Sequence, residues 1–277
     1  MNKEIKNRTR TLFIEPDFES YHKMIERGNY LLSDQITKKN NGIEIPLMGN
    51  SSHKVFASSI EARKGAGSLH IVVKPHANVK AMNNEIKALR RIREINDPNL
   101  PSVKLVGGMY LPNPQQLSSE RKPIGFLYLE KENLSSSLDS VNINNLERNQ
   151  REKILQVLAK HIAKMHSVAK IYHGDLRAKN ILLKFEPHVN EETGKTDYPR
   201  FYLMDMENST IDKMTLQARI SDMKCLARDL DNRLKIRNGV FVNQICVPYE
   251  TERKKIEGSE YQPIDWFKVF NVDYHFK

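Results

Sequence analysis

Three side chains that can offer oxygen to a cation lie in two short segments. Asp175 and Asn180 stand five apart in the polar stretch Tyr172-His173-Gly174-Asp175-Leu176-Arg177-Ala178-Lys179-Asn180, which runs into the apolar Ile181-Leu182-Leu183. Asp205 follows a second apolar run, Phe201-Tyr202-Leu203-Met204. Two short strands joined as a hairpin would set Asn180 and Asp205 side by side, with Asp175 close to both. A carboxylate and an amide oxygen suit a hard cation such as Mg2+, which completes its shell with water and phosphate oxygens. An acid beside the metal, but not saturated by it, can accept the proton of a hydroxyl.

These residues need elements to hold them. Ile154, Val157, Leu158, Ile162, Met165 and Ala169 form one apolar stripe and predict a long helix from Asn145 to Ala169, ending just before the polar stretch. A second helix is predicted over residues 215–236. Upstream, Ile43, Ile45 and Leu47, then Val55 and Ala57, then Leu69, Ile71 and Val73 alternate with polar residues. The runs are broken by Gly49-Asn50-Ser51-Ser52 and Lys64-Gly65-Ala66-Gly67, which is the pattern of an antiparallel sheet. Residues 79–95 switch to helical spacing through Met82, Ile86 and Leu89, and Val103–Val106 and Phe126–Leu129 read as two further strands. Leu111–Lys122 reads as a loop, residues 1–42 as a polar extension with a helical stretch near Phe18–Leu32, and the last forty residues carry few signals.

The chain has 277 residues, of which 39% are hydrophobic and 28% charged, enough apolar content to exclude disorder throughout. No run approaches the roughly 18 apolar residues of a membrane span, and the start Met-Asn-Lys-Glu-Ile-Lys lacks the apolar centre of a signal peptide. Two cysteines, Cys225 and Cys246, rule out a disulfide framework and a cysteine-based zinc site, which fits a cytoplasmic protein. A net charge of +10 favours an acidic partner. Lys3, Lys6, Arg8 and Arg10 form a basic arm that could touch an anionic membrane surface. No aromatic–basic motif points to nucleic acid, so none is expected as a partner.

His173-Gly174-Asp175-Leu176, three residues, then Asn180-Ile181-Leu182 resembles the catalytic loop of the protein-kinase-like superfamily, and Met204-Asp205-Met206-Glu207 resembles its metal-binding motif. The resemblance implies an ATP-dependent phosphotransferase. Asp175 would orient and deprotonate the acceptor hydroxyl, and Asn180 and Asp205 would hold Mg2+. Arg177, with Lys179 as a second candidate, would meet the transferring phosphoryl group. His70-Ile71-Val72-Val73-Lys74 resembles the strand whose lysine binds nucleotide phosphates. Glu85 falls on the apolar stripe of the next helix, where a carboxylate needs a buried partner, and Lys74, eleven residues earlier, is the natural one; Glu94 is the fallback. Gly49 and Ser51 stand where the family has its glycine-rich loop and can present backbone N–H groups to phosphate. Adenine would lie against Phe126–Glu130, with backbone hydrogen bonds from Leu129 and Glu130.

Several departures narrow the branch. Gly174 replaces the usual arginine, Met206-Glu207 follows the metal aspartate, and no Ala-Pro-Glu motif appears. Arg219-Ile220-Ser221-Asp222-Met223-Lys224-Cys225-Leu226-Ala227-Arg228-Asp229-Leu230 looks like the helix after the metal motif in bacterial lipopolysaccharide kinases, the Kdo and core-heptose kinases. There an acid at the place of Asp222 braces the catalytic loop. The expected fold is α+β and bilobal, protein-kinase-like. It has an extension (1–42), an N-lobe of antiparallel sheet plus one helix (43–132) and a compact, mostly helical C-lobe (133–277). The expected acceptor is a sugar of a lipid-linked glycan. The alternatives are an atypical small Ser/Thr protein kinase and a nucleotide-binding pseudokinase scaffold.

Overall fold

A computed structural model describes residues 5–7, 10–21, 56–61, 68–100, 102–110, 125–131, 135–141, 143–184, 188–189, 196–197 and 199–272. It is a mixed α/β protein with antiparallel sheets. Its contacts divide it into two units, residues 1–86 with 103–132, and residues 87–102 with 133–277.

The first unit is built on six strands: β1 (Ile5–Asn7), β2 (Arg10–Ile14), β3 (Phe56–Glu61), β4 (Ser68–His76), β5 (Leu105–Tyr110) and β6 (Gly125–Glu130). Their spatial order is β1-β2-β5-β6-β4-β3, with antiparallel neighbours throughout. Leu69, Ile71 and Val73 of β4 are buried in a cluster with Val106, Met109, Phe126 and Tyr128, as the two-residue strand period requires. Helix α1 (Val79–Ile95) follows β4. Asn78 caps it, its Oδ1 accepting the N–H of Lys80 at 2.8 Å.

Of residues 1–42, those described are 5–7 and 10–21, and two short strands lie among them. Arg10–Ile14 is the strand beside β5, pairing Thr11 with Tyr110 and Ile14 with Gly107, and of the expected basic arm Lys6 and Arg10 fall in β1 and β2 while Lys3 and Arg8 lie outside the described residues. The charges around Leu12 and Ile14 hid a short strand whose apolar residues are buried. Gly107 and Gly108 make the fit possible, since a Cβ on Gly108 would lie 2.7 Å from the Phe13 ring. Of the expected helix Phe18–Leu32, the described part is a 3-10 turn, Pro16–Tyr21. The strand residues Ile43–Leu47 and the loop 111–122 lie outside the described residues.

The second unit holds α2 (Arg148–Ser167), within the predicted span, and the short strands β7 (Ser135–Ser137), β8 (Ile171–Tyr172), β9 (Ile181–Lys184), β10 (His188–Val189), β11 (Thr196–Asp197), β12 (Arg200–Leu203) and β13 (Thr210–Ile211). β9 lies between β12 and β7, and β8 pairs with β13. Then come α3 (Leu216–Leu234), α4 (Asn238–Phe241), a π-turn at Val242–Cys246, α5 (Val247–Glu257) and α6 (Trp266–Phe270). The π-turn has a local cause: Pro248 at the start of α5 has no N–H to close a regular turn. The described part of the last forty residues, which carry little periodic signal, is thus largely helical. Phe241, Val242, Ile245, Cys246, Tyr249 and Trp266 join the core formed by α2 and α3.

Candidate active site

The polar stretch leaves β8, turns at Ala178–Asn180 and enters β9. β12 runs back antiparallel, pairing Leu203 with Ile181. The next hydrogen bond continues the ladder, Met204 N–H donating to Asn180 C=O at 3.1 Å. Asn180 and Asp205 therefore sit at the same end of one hairpin. Asp205 has φ +60°, a left-handed conformation uncommon for a non-glycine residue, and it opens the 3-10 turn Met206–Asn208.

Asn180 is buried and its amide nitrogen is committed to Asp175. Nδ2 donates to the Asp175 C=O at 2.9 Å and to its Oδ2 at 3.1 Å. That turns Oδ1, the end a hard cation takes, away from Asp175. The donor set at the hairpin end is an amide oxygen and a carboxylate, which fits a cation that draws its remaining ligands from water and phosphate. Among the described residues no group of three or more His, Cys, Asp or Glu could hold a metal. Arg177 is half exposed, and its Nε lies 2.6 Å from Asp175 Oδ1, so in this state it holds the acid. Lys179, in the turn beside Asn180, makes no ion pair among the described residues.

The loop is held from below by side chains. Gly174 has φ +79°, and a Cβ there would meet the Asn208 carbonyl oxygen at 2.5 Å. His173 is fully buried; its Nε2 lies 3.1 Å from the Met204 carbonyl and its Nδ1 accepts the Asp175 N–H at 3.3 Å. One imidazole thus ties the Asp175 amide and the carbonyl just before Asp205 into a single frame. Asp222 of α3, also buried, takes the N–H of His173 on Oδ2 at 2.8 Å and that of Gly174 on Oδ1 at 3.0 Å. Asp229, two helical turns further along the same face, takes the N–H of Ala178 at 2.8 Å. Asp222 was legible in the sequence as a brace. Asp229 was missed, although its seven-residue offset marks the same face.

In the first unit, Lys74 Nζ donates to Glu85 Oε2 at 2.7 Å. His76 Nε2 stands 3.2 Å from the same oxygen. Residues 74 and 76 share a face of β4, so both turn toward Glu85; His76 was missed for want of that step. Burial by itself would raise the Glu85 pKa, but Lys74 and His76 reverse the sign and hold it at about 2. Glu94, the fallback partner, is exposed. Leu129 and Glu130 lie inside β6. The Glu130 N–H donates to Lys104 C=O at 2.8 Å, because the ladder with the β5 segment extends to that residue. Gly49 and Ser51 lie outside the described residues.

A family model described as "Lipopolysaccharide kinase (Kdo/WaaP) family" matches residues 78–241. The match takes in Glu85, the loop with Asp175 and Asn180, Asp205, and the bracing acids Asp222 and Asp229, while Lys74 lies before it. No curated protein sequence matches the chain. Among solved structures, the chain is similar to a complex of Neurospora crassa PAN2 (WD40-CS1) with PAN3 (pseudokinase and C-term). The identity is 13% and the TM-score 0.40, covering 89% of this chain and 67% of that one.

Proposed function

The chain belongs to the lipopolysaccharide kinase (Kdo/WaaP) family, and from that premise we propose that it moves the γ-phosphate of Mg-ATP to a sugar hydroxyl of a lipid-linked glycan, with Asp175 as the base. The observation that carries the reading is the commitment of the Asn180 amide nitrogen to Asp175. It joins the acid to the hairpin end that Asn180 shares with Asp205.

Asp175 accepts the hydroxyl proton as the sugar oxygen forms its bond to phosphorus and the bond to ADP breaks. Both of its carboxylate oxygens already hold a donor, from Arg177 and Asn180. Each oxygen has a second lone-pair direction left for the acceptor hydroxyl. Mg2+, when bound, supplies neutralisation of phosphate charge, and Asn180 Oδ1 with the Asp205 carboxylate are the groups to hold it. Lys74, oriented by Glu85, binds the α- and β-phosphates. Arg177 exchanges its contact with Asp175 for the transferring phosphoryl group, with Lys179 as a second cation. Gly49 and Ser51 offer backbone N–H groups to phosphate. Leu129 and Glu130 mark the adenine side and supply backbone hydrogen bonds to the base.

Residues 43–132 form the nucleotide-positioning lobe of a bilobal kinase-like fold and residues 133–277 the lobe that carries the loop, the metal ligands and the acceptor site. Among the described residues no helix is long and apolar enough to cross a membrane. With a lipid-linked acceptor and a net charge of +10, the protein works peripherally on the cytoplasmic face of an anionic membrane.

The test uses purified protein and ATP labelled at the γ-phosphate. It is offered rough-type lipopolysaccharide with unphosphorylated core sugars, a mixture of soluble proteins, or buffer alone. Magnesium-dependent label in the lipopolysaccharide is the expected result. Label only in protein makes the chain a protein kinase, and no label despite Mg-ATP binding makes it a pseudokinase.

A further inference from the structure

Asp222 has a third donor beyond the two loop amides: Nε2 of His166, 3.1 Å from Oδ2. His166 lies near the end of α2, and its other nitrogen, Nδ1, is 2.7 Å from the hydroxyl of Tyr249 on α5. Tyr249 and His166 are fully buried and Asp222 is 1% exposed, so no water competes for these bonds. The rings of Tyr249 and His166 also meet edge to face, with centroids 5.7 Å apart. We propose that Tyr249 is a positioning residue for phosphoryl transfer, holding the catalytic loop through His166 and Asp222 without touching substrate.

The direction of the hydrogen bonds carries the argument. Asp222 is an acceptor from His173 N–H and Gly174 N–H, so the nitrogen facing it must be a donor and Nε2 bears the proton. Burial keeps the imidazole neutral, and the neighbouring Arg219 and Arg253 cations act in the same sense. Nδ1 is then an acceptor, and the Tyr249 O–H donates to it. The Tyr249 hydroxyl has its proton free for this bond, since burial pushes its pKa up and the group stays protonated. Every group is used in one sense, from Tyr249 through His166 and Asp222 to the two backbone amides that precede Asp175. Arg219 is anchored on Glu257 at 2.6 Å, at the far end of α5. The poorly patterned C-terminal segment thus reaches the loop by side chains 83 and 56 residues apart from the histidine that joins them.

The inference rests on Asp175 being the base, so the test separates the two. Full-length protein is compared with Tyr249→Phe, which keeps the ring and loses the hydroxyl, in 15N-histidine and backbone-amide NMR spectra and in lipopolysaccharide phosphorylation. The His166→Gln variant assigns the histidine signal and retains a donor for Asp222. The wild type should show His166 protonated on Nε2 with a hydrogen-bonded Nδ1. Tyr249→Phe should shift Nδ1 and the amides of His173 and Gly174. It should lower kcat on the order of tenfold, through loop misplacement, with KM for ATP unchanged. In the His166→Gln background the same substitution should have little further effect. Unmoved loop amides with full kcat per folded molecule, or an equal loss in the His166→Gln background, overturns the proposal. A wild type that phosphorylates no lipopolysaccharide defeats the proposed acceptor instead, and the loop amide shifts then decide the role of Tyr249 alone.

Discussion

Replacing Glu85 by Gln removes one charge from the first unit while keeping the shape of the side chain. The Glu85 carboxylate has no exposed surface, and Lys74 Nζ and His76 Nε2 stand 2.7 and 3.2 Å from its Oε2. Its pKa falls from 4.5 to about 2, so the ionised form is favoured in the folded protein by about 3 kcal/mol. The sign follows from linkage: an acid whose folded pKa is depressed stabilises the protein above its unfolded pKa and loses that contribution as the pH falls toward the folded value. Glu85→Gln should therefore lower the stability of the first unit by about 2–3 kcal/mol at pH 7, and the gap to wild type should close between about pH 5 and pH 2. The only tryptophan, Trp266, belongs to the second unit and does not report on this one. Hydrogen exchange of peptides from β4 and α1 does, since it gives a free energy for each segment. Equal protection in variant and wild type at pH 7, or a difference that persists undiminished at pH 3, would refute the account of Glu85 as a buried anion held by Lys74 and His76.

The site makes further predictions. Asp175→Asn should nearly abolish phosphoryl transfer and leave Mg-ATP binding intact; retention of more than about a tenth of the wild-type rate sinks the base role, since such catalysis supplies about 10²–10⁴-fold. Asp205→Ala should remove the magnesium dependence of ATP binding, and calorimetry finding wild-type Mg-ATP affinity would move the metal elsewhere. Gly174→Ala forces a Cβ to within 2.5 Å of the Asn208 oxygen at φ +79°; it should cost about 1–3 kcal/mol, read as a lower melting temperature, and an unchanged melting curve would count against the tight loop.

The parts of this molecule that could be read from its sequence are those with local signatures. Met82, Ile86 and Leu89 announce α1, and the same stripe singles out Glu85 as an acid that must find a partner. The stripe from Ile154 to Met165 announces α2. The hairpin of β9 and β12 follows from two apolar runs. What was hidden depends on pairing at a distance. β2 is five residues long, lies among charges and finds its partner in β5, almost a hundred residues later. The helices after residue 236 have buried residues on more than one side, and a proline widens one turn, which blurs the helical period. His76 and Asp229 were within reach, one strand step from Lys74 and two helical turns from Asp222. Tyr249 was not, since nothing local marks a tyrosine whose partner is 83 residues away.

The placing of β2 next to β5 has a consequence for how the chain is made. At about 5–20 residues added per second, Arg10–Ile14 emerges on the order of 5–20 s before the strand that will receive it. A lone β1–β2 hairpin is too small to persist in water during that interval. Leu12, Phe13 and Ile14 therefore travel as an open apolar segment available to any holdase that meets the nascent chain. The converse holds for β5. Its run Leu-Val-Gly-Gly-Met-Tyr carries no charge, and two adjacent glycines leave its backbone bare of side chains. Until β2 arrives, that edge is a template for whichever strand reaches it first, and the first to compete is the same segment of another copy.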